Sequence, residues 1–219
     1  MTLRYRPRAG SPVVRAGVLC LFLLAATGPV LAETIVLRSG NAPLGNADPL
    51  IRMSPGGGGT PLSSDPFTED YFNRACAGPN AIVCQPHGAW LQQLSCDPDA
   101  RWIGVDAEAT PASALYCHVF EVESCCIEQA RLDFCWVTDD ALGDTGFGGG
   151  NPDGVYVNGV AVSPSITGGS YATESLVSVD VTGLVHCGTN ELHVYNRDAG
   201  FVVSGVMFSA TFELTECAT

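Results

Sequence analysis

Apolar and polar residues alternate in several short segments of the second half of the chain, which is the pattern of β-strands that bury one face. Segments 116–122, 132–136 and 206–214 show this alternation most clearly. No long stretch beyond residue 33 repeats with the period of a helix. The pattern therefore predicts an all-β fold, a sandwich or barrel of short antiparallel strands.

Turn residues indicate how some of these strands connect. Asn158-Gly159 separates the apolar segments 155–157 and 160–162, and this dipeptide tolerates the two positive φ angles of a type I′ turn. A tight β-hairpin is therefore predicted there. Further strands are predicted at 178–182 and 191–195.

The first third of the chain is less regular. Residues 34–38 are predicted to form a first strand, and the Pro- and Gly-rich segment 41–65 is predicted to be surface loop. Residues 67–75 suit a short helix, capped by Asp65 or Thr68.

The N-terminus has the pattern of a signal peptide, because four arginines precede the apolar segment 16–26 and a site of small residues ends at Ala32. We expect residues 1–32 to be this signal peptide. Residues 33–100 are expected to form a loop-rich extension and residues 101–219 the main body of the sandwich, together one domain. The protein is then secreted, periplasmic or on the cell surface, with no membrane span after cleavage.

Acidic residues dominate the charge of the chain. It has no lysine, its formal net charge is −13, and four of its ten arginines precede Glu33, whereas all 23 acidic residues lie at or after that position. The chain that starts at Glu33 therefore has a formal net charge of −17. Such a surface repels phosphate backbones and anionic lipids, which excludes nucleic acids and anionic membranes as expected partners.

Nine cysteines lie beyond the expected signal peptide, which in an exported chain indicates a disulfide framework of at most four bridges with one thiol left over. The adjacent Cys125 and Cys126 are expected to bond to two different partners, and Cys76 is predicted to form a local bridge with Cys84. The odd thiol is a candidate for a disulfide-linked dimer. The nine candidates are Cys76, Cys84, Cys96, Cys117, Cys125, Cys126, Cys135, Cys187 and Cys217.

The order of these motifs resembles that of galactose-binding-domain-like jelly rolls, which include the sugar-binding sandwich of family 2 glycosidases and related domains of secreted bacterial proteins. The resemblance covers roughly residues 102–214. It implies a bacterial jelly-roll β-sandwich whose relatives often bind carbohydrate. The segments that carry it are 114–122, 130–136, 155–159, 179–182 and 188–192.

The chain departs from that family in ways that affect the expected activity. No catalytic barrel follows the last predicted strand, and the motifs GxSxG, HExxH and GK[ST] are absent. The sequence therefore predicts a non-catalytic module that binds a glycan or another surface component. The alternative is a structural or assembly protein of the cell envelope or extracellular matrix. A hydrolase is a third alternative, for which the sequence names no catalytic carboxylate.

Tryptophans are the candidates for a sugar platform, because an aromatic face stacks on the C–H face of a pyranose while nearby polar groups bind its hydroxyls. Trp136 lies on the apolar face of a predicted strand and is assigned to the core. Trp90 and Trp102 flank predicted loops, and packing of the extension onto the sandwich is their alternative role. The predicted ligand-binding residues are Trp90, Trp102, Asp139, Asp140 and Asp153.

The glycine-rich loop 139–154 gathers four aspartates and an asparagine. It is interpreted first as a solvated acidic turn. The alternative is a calcium site, since calcium prefers about six to eight oxygen ligands, and its candidate ligands are Asp139, Asp140 and Asp144. Zinc binding at Cys117-His118 and His186-Cys187 is less favoured than disulfides, because exported thiols usually oxidise.

Overall fold

A computed structural model describes residues 32–217, so the expected signal peptide lies outside the described residues except for Ala32. Within this range the chain forms one helix and twelve strands, and every strand pairing is antiparallel. The elements are β1 (Ala32–Arg38), β2 (Ala47–Pro55), α1 (Glu69–Ala77), β3 (Asn80–Val83), β4 (Ile103–Gly104), β5 (Ala114–Val122), β6 (Ile127–Asp139), β7 (Ala141–Leu142), β8 (Val155–Val157), β9 (Val160–Ala161), β10 (Ser175–Asp180), β11 (Gly188–Arg197) and β12 (Gly205–Glu216).

The strands form one sheet that curls into a sandwich. Its order is β10-β6-β12-β4-β3-β2-β5-β11-β8-β9, with β1 added to β12 and β7 added to β11. The two halves face each other across the core, where the rings of Phe120 on β5 and Phe212 on β12 stack with centroids 4.6 Å apart. The predicted all-β antiparallel jelly-roll sandwich is confirmed.

The Asn158-Gly159 hairpin forms as the sequence predicts. The two residues have φ angles of 51° and 76°, and they join β8 to β9. A Cβ atom on Gly159 would lie 3.3 Å from the ring of Phe72 on α1, so the glycine lets the helix approach the turn closely. This contact places α1 beside the hairpin.

The prediction of surface loop at 41–65 is wrong for β2. Ile51 and Met53 on this strand are buried in the core, and the strand pairs with both β3 and β5. Flanking prolines and glycines hid a short alternating segment, since composition over a long window masks a strand of nine residues. The predicted short helix does form, beginning after Thr68, whose side chain makes no capping hydrogen bond.

Four disulfides staple the fold, as the cysteine count predicts. Adjacent Cys125 and Cys126 do bond to different partners. The predicted local bridge from Cys76 to Cys84 is wrong, because α1 carries Cys76 onto β5, opposite Cys117. The pairs are Cys76–Cys117, Cys96–Cys135, Cys125–Cys187 and Cys126–Cys217.

The odd thiol belongs to Cys84, whose residue is 1% exposed. Burial raises the pKa of this thiol to about 12, so it is neither accessible nor ionised near neutral pH. Among residues 32–217, therefore, no accessible free sulfur is left to form a disulfide-linked dimer.

The zinc alternatives also fail, since Cys117 and Cys187 are both disulfide-bonded. None of the helices in this range is both long and apolar enough to cross a bilayer.

Candidate functional site

A cleft of about 520 Å³ lies between α1 and the β8–β9 hairpin, and we call it the α1 cleft. Its volume is within the range of about 300–1,000 Å³ typical of ligand pockets. Two phenylalanines form its apolar wall, the Asn158-Gly159 turn forms its far edge, and five polar side chains complete it. The aromatic residues are Phe67 and Phe72, and the polar residues are Glu69, Asn73, His186, Thr189 and Glu191.

The apolar wall is fixed by aromatic packing. Phe72 lies on the buried face of α1, and its ring centroid is 5.2 Å from that of Tyr156 and 4.8 Å from that of His193. Phe67 precedes the helix and packs edge-on against Tyr195 at 5.0 Å. These contacts hold the two rings in place, so the wall does not have to reorganise to meet a ligand.

The opposite side of the cleft is shaped by hydrogen bonds within the protein. The Asn158 amide donates to Leu184 O and to Asn190 Oδ1, both at 2.8 Å, and its Oδ1 accepts from the Glu191 N–H at 2.8 Å. Thr189 Oγ1 donates to Glu121 Oε1 at 2.6 Å. Asn158 and Thr189 therefore set the shape of the cleft, because their polar groups are already paired.

Other polar groups of the cleft have no partner within residues 32–217. Glu69 and Asn73 are exposed and sit one turn apart on α1, and no hydrogen bond or ion pair of this range uses their side chains. His186 Nδ1 lies 2.9 Å from the carbonyl of Cys187, which can only accept, so this nitrogen donates and Nε2 stays open. The cleft thus offers a carboxylate, an amide and an imidazole to a ligand.

Glu191 contributes a second carboxylate without a cationic partner. Its Oε2 lies 3.7 Å from Nε2 of the fully buried His193. Burial lowers the pKa of His193 to about 4, so the imidazole is neutral near neutral pH and the pair carries no ionic attraction. Burial also raises the pKa of Glu191, as expected for a partly desolvated carboxylate with no counter-charge.

Disulfides anchor both sides of the α1 cleft. Cys76–Cys117 ties the last turn of α1 to β5, and Cys125–Cys187 ties the loop that carries His186 to the turn between β5 and β6. Because the walls are covalently held, a ligand pays little ordering entropy on binding.

Trp90 and Trp102, the residues predicted to form a sugar platform, lie in the interior of the protein. They are 4% and 2% exposed and stack on each other with centroids 4.1 Å apart. Trp90 Nε1 donates to Asp139 Oδ2 and Trp102 Nε1 donates to Leu91 O, each at 2.7 Å. Their faces are therefore covered in a second apolar cluster that joins the extension to the sandwich, and only an edge of Trp102 reaches a cavity, of about 410 Å³.

The three aspartates predicted to bind a ligand have different surroundings in the structure. Asp139 is 8% exposed and is bonded to Trp90, and Asp140 Oδ2 accepts from the N–H of Ala199 at 2.6 Å. Asp153 lies beside Tyr156, whose hydroxyl donates to the Asp153 carbonyl at 2.9 Å. The structure thus brings Trp90, Asp139 and Asp140 together, with Trp90 and Asp139 buried and Asp140 partly exposed.

The alternative of a calcium site at Asp139, Asp140 and Asp144 is not supported by the geometry. Within residues 32–217, the groups of three potential ligand atoms that lie within 4.8 Å of one another do not include these aspartates. Asp144 points inward, where its Oδ1 accepts from the Tyr195 hydroxyl at 2.9 Å and lies 3.3 Å from Arg197 Nε. Asp144 is therefore paired inside the protein, so the first interpretation of the loop, a solvated acidic turn, is wrong for this residue.

Sequence reasoning missed the residues of the α1 cleft, because they come from distant segments. Asn73 lies on the helix, whereas His186 and Glu191 lie beyond the hairpin, more than 100 residues later. The bridges Cys76–Cys117 and Cys125–Cys187 hold these segments on the two sides of the cleft, and only the disulfide connectivity could have pointed to it. Connectivity cannot be derived from cysteine spacing.

No protein-family model matches this chain, and no curated protein matches it. Among solved structures it is similar to the native structure of a family 35 carbohydrate binding module from Clostridium thermocellum, with 13% identity over 60% of this chain and 86% of that chain, at a TM-score of 0.31. A likeness at this level assigns no ligand to the α1 cleft.

Proposed function

We propose that the protein is an exported, non-catalytic module that binds a glycan in the α1 cleft. The observation that carries this proposal is the meeting, in one cavity of about 520 Å³, of a fixed aromatic wall and polar side chains that have no partner within residues 32–217. Ligand sites typically combine an apolar lining with a few placed polar groups.

The chemistry of the cleft matches that of a sugar. A pyranose has apolar C–H faces and many hydroxyl groups, so it needs ring contacts together with donors and acceptors. Phe67, which is half-buried, supplies the apolar contact, and the buried ring of Phe72 packs against it. The Asn73 amide both donates and accepts, and His186 Nε2 accepts when the imidazole is neutral. Each of these groups can bind a hydroxyl without breaking a bond within residues 32–217.

Export is supported by the covalent structure of the fold. Four disulfides join segments that lie 39 to 91 residues apart. Such bridges form and persist in oxidising compartments and are rare in the cytosol of mesophiles. The strongly acidic surface also favours solubility outside the cell.

Replacing Asn73 or His186 with alanine is expected to weaken glycan binding by about tenfold in each variant. Each change removes one hydrogen bond to the ligand at a contact from which the bound glycan excludes water. Both side chains are exposed, so the fold should be retained. The measurement is isothermal titration of the purified, oxidised chain with the glycan that binds best in a panel of neutral and charged oligosaccharides.

Matched controls are Gln129→Ala and His87→Ala, since both side chains are exposed and neither lines the cleft. They should leave the affinity unchanged. If the controls lose as much affinity as the cleft variants, or if both cleft variants keep full affinity, the binding site lies outside the α1 cleft. Absence of any glycan binding, together with concentration-dependent assembly, would favour the alternative of a structural or assembly protein.

A further inference from the structure

The α1 cleft carries negative charge without a local cation. Glu69 and Glu191 both line it, whereas none of the six arginines within residues 32–217 does, and the chain has no lysine. Arg74, on the same helix, points away, with its guanidinium 4.3 Å from the ring centroid of Tyr71 and its Nε 3.2 Å from Asp70 Oδ2. The carboxylates of the cleft are therefore left for a ligand.

The group behind Glu191 does not neutralise it. His193 is fully buried, and its Nδ1 has no hydrogen-bond partner within residues 32–217. Its Nε2 faces Glu191 at 3.7 Å and Cys76 Sγ at 3.3 Å, and its ring packs against Phe72. The imidazole is neutral, and at 3.7 Å its Nε2 makes no hydrogen bond with the Glu191 carboxylate, so His193 does not offset the charge at the cleft surface.

We propose that the α1 cleft selects sugars that carry a protonated amine, that is 2-amino-2-deoxy sugars with a free amino group, over their N-acetylated forms and over uronic acids. This inference rests on the proposed function and names the ligand class of the same site. The ammonium group pairs with Glu191, and Glu69 adds a second negative charge at the rim. Asn73 and His186 bind hydroxyl groups, and the half-buried Phe67 contacts the C–H face, with the buried Phe72 packed against it.

Charge also determines what the cleft rejects. A uronate or sulfate ester would face two carboxylates with no guanidinium to bind it, in a chain whose net charge beyond residue 32 is −17. A charged group held near like charges loses affinity at close range even where salt screens the long-range field. Acidic polysaccharides are therefore excluded as ligands of this cleft.

The test compares three β-1,4-linked tetrasaccharides, those of glucosamine, N-acetylglucosamine and glucuronate. Titration calorimetry of the oxidised chain should show 1:1 binding of the glucosamine tetramer, at least tenfold tighter than that of the N-acetylated tetramer, and no binding of the glucuronate tetramer. Glu191→Gln should abolish the preference for the free amine, and Glu69→Gln should reduce it. Glu128→Gln, an exposed carboxylate on β6 outside the cleft, should leave it intact.

The outcomes separate this inference from the function on which it rests. Equal binding of the first two tetramers, weakened by Asn73→Ala, would overturn the amine preference and keep the glycan-binding module. If Glu191→Gln and Glu69→Gln both keep the preference for the free amine, the preference arises from the general surface charge of the protein. That result would overturn the inference. Binding of none of the three tetramers would overturn the inference, and binding of no glycan in the wider panel would overturn the module itself.

Discussion

Replacing Arg197 with methionine is expected to lower the free energy of unfolding by about 3–5 kcal/mol, because it leaves a buried carboxylate unpaired. The Arg197 guanidinium is 4% exposed and lies 3.3 Å from Asp144, whose side chain is 2% exposed. The distance is that of an ion pair, but Arg197 Nε makes no hydrogen bond with Asp144. The other guanidinium nitrogens do make hydrogen bonds: Nη2 donates to Gly59 O at 3.3 Å, and Nη1 donates to Asp198 O. Equilibrium denaturation measures the loss.

The matched control is Arg74→Met, since Arg74 is half-exposed and pairs with Asp70 on the helix surface. It should cost no more than about 0.5 kcal/mol. Adding Asp144→Asn to the Arg197 variant should recover part of the loss, because the uncompensated charge is then removed. An Arg197 variant as stable as the Arg74 variant would show that the buried pair does not support the loops around it.

The free energy of unfolding is expected to fall as the pH rises from about 4 to about 7, because of Asp139. Burial, a hydrogen bond with Asp140 and the charges of Asp140 and Asp198 raise the pKa of this carboxyl from 3.8 to about 7, against the bond from Trp90. A folded-state pKa above the unfolded one means that the folded chain holds the proton more tightly. The stabilisation is therefore complete below about 4 and is lost as the pH rises through 7, up to about 4 kcal/mol in all.

The check is the difference in unfolding free energy between the wild type and Asp139→Asn, measured from pH 4 to pH 8. Asparagine imitates the protonated acid and can still accept from Trp90 Nε1. The variant should gain stability relative to the wild type as the pH rises, and Asp153→Asn, a partly exposed aspartate in the following loop, should not. A difference that stays constant over the whole range would mean that Asp139 is not held protonated by its surroundings.

Features that depend on a few neighbouring residues were predictable from the sequence. The turn at Asn158-Gly159 requires only two residues that accept positive φ, and the alternation at 206–214 requires only a period of two. Both appear in the structure: the two turn residues have positive φ, and the predicted apolar positions of 206–214 face the core. The separate partners of Cys125 and Cys126 follow from adjacency, since neighbouring cysteines seldom bond to each other.

Features that depend on the fold as a whole were not predictable. Trp90 and Trp102 lie beside loops in sequence, but the extension folds onto the sandwich and buries both rings against each other. Asp144 belongs to a glycine-rich acidic loop, and only the register of β11 shows that Arg197 reaches it. An aromatic or acidic residue in a loop has the same sequence signature whether it faces solvent or an internal partner. The α1 cleft was missed for the same reason.

Amide chemical-shift mapping of the oxidised chain, with and without its tightest-binding glycan, is the most direct test of the claim that the α1 cleft is the binding site. The account predicts saturable shift changes that form one patch around Asn73, Gly159, His186 and Glu191. Changes centred on the cavity at Trp102, with this patch unaffected, would contradict it. So would the absence of any shift change across a broad glycan panel.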